Sequence, residues 1–250
     1  METKNIDEIK AEVLPEDTTK HDLSFKIIII GDPGVGKSCL TAQAVKEDFY
    51  ETYKATIGFD FQSFNVKLDD VKVNLQIWDT CGQEIYKSLI SSFYKSAALA
   101  MIVYSIDSKE SFQHLDSWLK DVQLQSNPDI KIFLIGNKTD LEEEREVSFE
   151  EAKKYSEEHN FNYVNETSAK TGFNAKNVFI QAAKVLYLEH IKYKSRANKA
   201  GNTGTNNTQN IPMKVSMDKE NKRNQGGCCD NKVIISNERF HIGWSQDFEF

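Results

Sequence analysis

Long apolar runs are missing from this chain of 250 residues. None reaches the roughly 18–20 residues that a membrane span needs, and no N-terminal stretch resembles a secretory signal. Cysteine is scarce. Cys39, Cys81, Cys228 and Cys229 are the four present; none has C-x-x-C spacing, and an adjacent pair is a poor disulfide or zinc framework. The expectation is a reduced, cytoplasmic protein. Positive charge is also in deficit: a net charge of −7 argues against nucleic acid as a main partner. The deficit is uneven, because residues 191–227 carry eight Lys or Arg against two acids, a local +6.

What is present is a repeating pattern. Residues 1–22 are polar and acidic without a clear apolar period, which predicts a flexible acidic arm. From residue 23, strand-like and helix-like stretches alternate. Strands are predicted over 25–30, 58–68, 71–79, 98–106, 131–136 and 162–166, with Asp69-Asp70 as a hairpin turn between the second and third. Helices are predicted over 37–47, 85–95, 109–125, 149–160 and 174–190, and Ser148, three residues before Glu151, reads as a capping box. The solid apolar runs suit a parallel sheet covered on both faces. The expected fold is a three-layer α/β domain over 23–192, with six mostly parallel strands, one antiparallel edge strand and about five helices. Residues 193–227, rich in Asn, Gly, Thr and Lys, predict a disordered basic linker.

The motif of greatest weight is Gly31-Asp32-Pro33-Gly34-Val35-Gly36-Lys37-Ser38, which follows the apolar strand Phe25-Lys26-Ile27-Ile28-Ile29-Ile30. A Gly-rich loop between a strand and a helix presents backbone N–H groups to phosphate, and its glycines allow close approach. The helix N-terminus adds its dipole. Lys37 can reach β/γ-phosphate oxygens and the Ser38 hydroxyl can ligate Mg²⁺.

Two later motifs narrow the ligand. In Trp78-Asp79-Thr80-Cys81-Gly82-Gln83-Glu84, Asp79 is placed to hold magnesium, Gly82 to offer its N–H to a γ-phosphate, and Gln83 to orient an attacking water. In Asn137-Lys138-Thr139-Asp140, an aspartate can accept from guanine's N1–H and exocyclic amine, a donor pair that adenine lacks. Such paired bonds discriminate strongly, because the wrong base leaves the site's polar groups unpaired. The alkyl stem of Lys138 can lie along the base. Thr167-Ser168-Ala169-Lys170 can supply N–H groups to the guanine O6. The order of these motifs predicts GTP rather than ATP.

Taken with Thr56-Ile57-Gly58, the set resembles a small GTPase of the Ras superfamily. The runs Ile57-Gly58-Phe59-Asp60-Phe61 and Leu75-Gln76-Ile77-Trp78-Asp79-Thr80, with Cys228-Cys229, resemble the Rab family. The resemblance covers about residues 23–229. It implies a GTP/GDP switch in vesicle trafficking that hydrolyses GTP slowly. Gln83, Lys37, Thr56 and Gly82 would act in catalysis, and Ser38, Thr56 and Asp79 would hold Mg²⁺. The nucleotide would be bound by Asp32, Pro33, Gly34, Val35, Gly36, Lys37, Ser38, Cys39, Phe49, Thr56, Gly82, Asn137, Lys138, Asp140, Ser168, Ala169 and Lys170, with Phe49 edge-on to guanine. Effectors would read an aromatic triad at Phe61, Trp78 and Phe93. Implied partners are an exchange factor, a GTPase-activating protein, a GDP-dissociation inhibitor or escort protein, and effectors. The protein would be a monomer cycling between cytoplasm and the cytosolic face of endomembranes.

The chain departs from that pattern in three places. Pro33 removes an N–H from the phosphate loop, and Cys81 stands where alanine is usual. If the two had spoiled catalysis, the protein would be a hydrolysis-impaired, nucleotide-bound adaptor. The Cys228/Cys229 pair, which would take two prenyl chains at a chain end, is followed by 21 residues, 230–250. Two readings stay open: that this extension is absent from the mature protein, or that docking uses Phe240, Trp244, Phe248 and Phe250.

Overall fold

Four consecutive isoleucines organise the molecule. Each of Ile27, Ile28, Ile29 and Ile30 is at most 1% exposed, and successive side chains of a strand point to opposite faces. Ile27 and Ile29 pack in one cluster with Leu40, Phe64 and Phe179, whereas Ile28 and Ile30 pack in another with Leu115, Trp118 and Leu119. The strand that carries them is therefore shared by two cores, one on each side of a sheet.

The computed structural model describes residues 5–49, 59–80 and 94–200. Its strands are β1 (Ala11–Val13), β2 (Leu23–Ile30), β3 (Phe59–Leu68), β4 (Val71–Thr80), β5 (Leu99–Ser105), β6 (Lys131–Asn137) and β7 (Tyr163–Glu166). The α-helices among the described residues are α1 (Lys37–Lys46), α2 (Lys109–Gln113), α3 (Leu115–Gln125), α4 (Phe149–Glu158) and α5 (Ala175–Ala200). The sheet order is β1-β3-β4-β2-β5-β6-β7. Pairing is antiparallel between β1 and β3 and between β3 and β4, and parallel from β4 through β7. Helices α1 and α5 cover one face, and α2, α3 and α4 cover the other. The three-layer α/β architecture expected from the alternating pattern is present.

The strand count and the edge require correction. Among the described residues the sheet has seven strands, not six, and β3, which runs against the other six, is not its edge. The extra strand lies in the stretch expected to be a loose arm. Ile9 is buried in the core at 2% exposure. The Asp69 N–H donates to the Lys10 carbonyl at 2.9 Å, and the Leu14 N–H donates to the Asn65 carbonyl at 2.8 Å. The Asn65 side chain donates to the carbonyls of Pro15 and Glu16 at 3.0 and 3.1 Å. All three residues of β1 are exposed, so no apolar period marks it. Its place is set by the Ile9 anchor before it and by Asn65 across from it.

Helices also shift from expectation. The stretch 109–125 divides at His114, which ends α2 and begins α3. Helix α5 continues to Ala200, beyond the domain boundary expected at 192. At α4, the Ser148 hydroxyl accepts from the Glu151 N–H at 3.1 Å, while the Glu151 carboxylate pairs with Lys109 instead of turning back to close the capping box. The helix predicted over 85–95 lies almost wholly outside the described residues, as do the Cys228/Cys229 pair and the extension 230–250.

Because β2, β4, β6 and β7 run the same way, their C-terminal ends meet along one edge of the sheet. That edge carries each of the described motifs that the sequence singled out, as expected for ligand sites in open α/β sheets.

Candidate functional site

The loop after β2 is shaped by two glycines that no other residue can replace. Gly31 has φ +140°, and a Cβ there would lie 2.1 Å from the Val103 carbonyl oxygen. Gly36, the N-cap of α1, has φ +91°, and a Cβ there would lie 2.4 Å from Asn137 Nδ2. Left-handed backbone at these points bends the chain tightly into the helix. Lys37, itself buried, donates from Nζ to the carbonyls of Gly31 and Asp32 at 2.8 and 2.7 Å. Its ammonium is thereby stationed over the loop, at the start of a helix whose first N–H groups have no intrahelical partner. Val35 is buried, while Pro33 and Gly34 are exposed at the loop's tip. Cys39 follows on α1, half-buried, its thiol pushed up by burial and by the nearby Asp79 charge.

The Ser38 hydroxyl donates to Asp79 Oδ2 from the end of β4. Asp79 is 1% exposed, and its other oxygen, Oδ1, is buried without a hydrogen-bond partner. Burial pushes the Asp79 carboxyl up to about 6, against the opposing effects of the Ser38 hydrogen bond and the Lys37 charge. A desolvated carboxylate oxygen lacking a donor is costly, and a hard divalent cation is the ligand that satisfies it together with a hydroxyl oxygen. The pair fits Mg²⁺. Among the described residues no group of three or more His, Cys, Asp or Glu could hold a metal.

Asn137, fully buried at the end of β6, ties the loops together. Its Nδ2 donates to the Val35 carbonyl at 2.9 Å, and its Oδ1 accepts from Thr167 Oγ1 at 3.0 Å and from the Ala169 N–H at 3.2 Å. Lys138 takes a left-handed φ of +70°, and its Nζ lies 3.5 Å from Asp107. This turn leads into a 3₁₀ helix, Thr139–Glu144, which presents Asp140. The Ser168 hydroxyl donates to Asp140 Oδ1 at 2.6 Å and accepts from the Thr171 N–H at 3.0 Å. Asp140 is exposed, and the Ser168 bond fixes the orientation of its carboxylate. Ala169 is buried and Lys170 exposed beside it. Phe49, just beyond α1, rests against the core.

On β3 and β4, Phe61 and Trp78 are directly paired across the strands, their rings 5.4 Å apart and nearly perpendicular. Phe59 adds a second ring 5.4 Å from Trp78. Phe59 and Phe61 are 48% and 47% exposed. Lys26 Nζ sits 4.7 Å from the centre of the indole, and burial pulls that ammonium below its ordinary value. Thr56, Cys81, Gly82, Gln83 and Phe93 lie outside the described residues.

Sequence reasoning missed four contributors. Phe59 enlarges the aromatic face, a role that its period-two spacing from Phe61 could have suggested. Arg145 makes a two-pronged contact with Glu166, Nη1–Oε1 2.6 Å and Nη2–Oε2 3.0 Å, and also holds Glu142. It thereby braces the 3₁₀ helix against β7 from behind; both carboxylates raise the Arg145 pKa. His114 and Trp118 both reach the Asp32 carboxylate, and no local spacing relates them to it.

A protein-family model described as "Ras: Ras family" matches residues 26–188, from within β2 to within α5.

Proposed function

The chain belongs to the Ras family and is a small GTPase, and from that premise we propose that it is a Rab-like GTP/GDP switch that hydrolyses GTP slowly and recruits effectors in vesicle trafficking. The observation carrying the nucleotide part of this reading is Asn137, whose one side chain fixes the phosphate loop and the base-reading loops to each other. Triphosphate and guanine are thus held by one connected piece of structure.

Each residue has a part. N–H groups from Gly34 to Cys39 and the Lys37 ammonium bind the β- and γ-phosphates. Asp140 and the Ala169 N–H read guanine, and the carboxylate confers the preference over adenine. Ser38 and Asp79 would hold Mg²⁺, which, when bound, neutralises charge on the phosphate oxygens. Gln83 would orient the attacking water, while Thr56 and Gly82 would report the γ-phosphate to partners. Their release on hydrolysis is the switch.

The Rab-like reading is supported by the run Leu75–Thr80 on β4 and by the exposed aromatic face of Phe59, Phe61 and Trp78. Rigid aromatic rings of this kind are good anchors for a protein partner. Slow turnover accelerated by an activating protein is supported by Arg145, whose guanidinium is engaged by Glu142 and Glu166; the missing positive charge would come in trans. Exchange factor, GDP-dissociation inhibitor or escort protein, and prenyl attachment at Cys228 and Cys229 belong to the same reading, with residence at endomembranes.

The test is to load purified protein with GTP and follow phosphate release over hours, after competition of GTP against ATP for binding. GTP preference with slow, complete conversion to GDP supports the switch. Tight GTP binding without conversion would favour the adaptor, and recovery of hydrolysis in P33G or C81A would then identify the cause.

A further inference from the structure

A carboxylate within a phosphate-binding loop works against the loop's purpose, since like charges repel most strongly where water is excluded. Asp32 stands in that position. Its side chain reaches the start of α3 and is only 17% exposed. Trp118 Nε1–H donates to Oδ1 at 2.7 Å, and His114 Nδ1 lies 2.6 Å from Oδ2. An ionised carboxylate only accepts, so His114 must carry a proton on Nδ1. Both donors come from the start of α3, on the face of the sheet opposite α1.

The main chain of the same residue is engaged as well. The Asp32 carbonyl accepts from Lys37 Nζ at 2.7 Å. Asp32 is thus held at both ends, its carboxylate by α3 and its carbonyl by the lysine that serves the phosphates.

We propose that Trp118 and His114 are positioning residues for nucleotide retention. They keep the Asp32 charge off the phosphates and set the carbonyl that stations Lys37. The proposal rests on guanine-nucleotide binding by this chain. Helix α3 becomes a route by which a contact on the far face of the sheet can change how long nucleotide stays bound.

The experiment is release of fluorescent mant-GDP from the full chain in Mg²⁺, chased with excess GDP. W118F and H114L should each release nucleotide roughly tenfold faster, the size of one hydrogen bond to a charged group. In a D32A background neither substitution should add acceleration, because the shared partner is gone. H114N, which returns a donor near the Nδ1 position, should recover part of the retention lost in H114L. Lowered Tm with unchanged release would show a purely structural role and overturn the proposal. Full additivity of W118F or H114L with D32A would also overturn it. Failure of the wild-type chain to take up mant-GDP would instead overturn the nucleotide reading on which the proposal depends.

Discussion

The amide of Asn137 donates to the Val35 carbonyl at 2.9 Å, linking two residues 102 positions apart. Its oxygen meanwhile takes donors from Thr167 and Ala169. Asn137→Ala would leave a buried carbonyl, hydroxyl and N–H short of partners, at a cost of about 3 kcal/mol. Urea unfolding should show that loss. Mant-GDP and mant-GTP titrations should show both nucleotides weakened alike, since the tie serves both ends of the ligand. A loss confined to GTP would contradict this role.

On the proposed reading, Asp140 sets the base preference. Guanine carries an amine at C2 where xanthine carries a carbonyl, so Asp140→Asn should trade one base for the other. GTP affinity should fall by about 3 kcal/mol, roughly a hundredfold in Kd, from loss of charge-assisted bonds, while xanthosine triphosphate gains. Competition of the two nucleotides against mant-GDP measures the exchange.

Ser38→Ala tests the cation. In the wild-type chain, chelating Mg²⁺ with EDTA should speed mant-GDP release. In the variant, release should already be faster in the presence of Mg²⁺, on the order of tenfold, and EDTA should add little. Equal sensitivity to EDTA in both proteins would show that Ser38 is not a ligand.

Ile9→Ala tests the N-terminal segment. Ile9 is almost wholly buried, and truncating such a side chain to alanine costs about 3 kcal/mol. The urea midpoint should drop accordingly. A change within a few tenths of a kcal/mol would mean that the segment contributes no stability.

His190 gives the fold a pH dependence. It is buried on α5, its ring edge-on to Phe25 at 6.4 Å, with Nε2 lacking a partner. Burial, reinforced by Lys194, pulls its pKa below the ordinary imidazole value of 6.5. Above that value the ring is neutral in both folded and unfolded chains, and no stability is at stake. As pH falls through it, the unfolded chain takes a proton that the folded chain resists, so stability declines until the folded pKa is reached. Urea unfolding at pH 7.5 and 5.5 should show a smaller difference in His190→Phe than in the wild type.

The glycine-rich loop after β2 and the turn at Asn137–Asp140 were legible because their backbone demands are local. Glycine, lysine and serine at a strand-to-helix junction can be read without knowing the rest of the fold, as can Asn137 to Asp140. The isoleucine run was legible for the same reason. Contacts set by tertiary packing were not. Asp32 meets His114 and Trp118 only because β2 and β5 are neighbours, and residue spacing carries no trace of that. Strand β1 has no apolar face and gains its order from Ile9 and Asn65. The end of α5 is rich in lysine, arginine and alanine, good helix formers, yet without an apolar stripe it reads as linker. His114 interrupts the helix predicted over 109–125 at the point where its ring reaches Asp32.

The isoleucine strand has one more consequence. Its backbone is bonded on both sides by parallel neighbours and its side chains are locked into two separate cores, so its amides should be among the last in the molecule to exchange with deuterated water. The loop that follows it hangs from a strand held at both edges and on both faces. Nucleotide escape and global unfolding are then separate events, and a dilute denaturant that speeds release without altering exchange at Ile27–Ile30 would be acting on the loop's side-chain moorings alone.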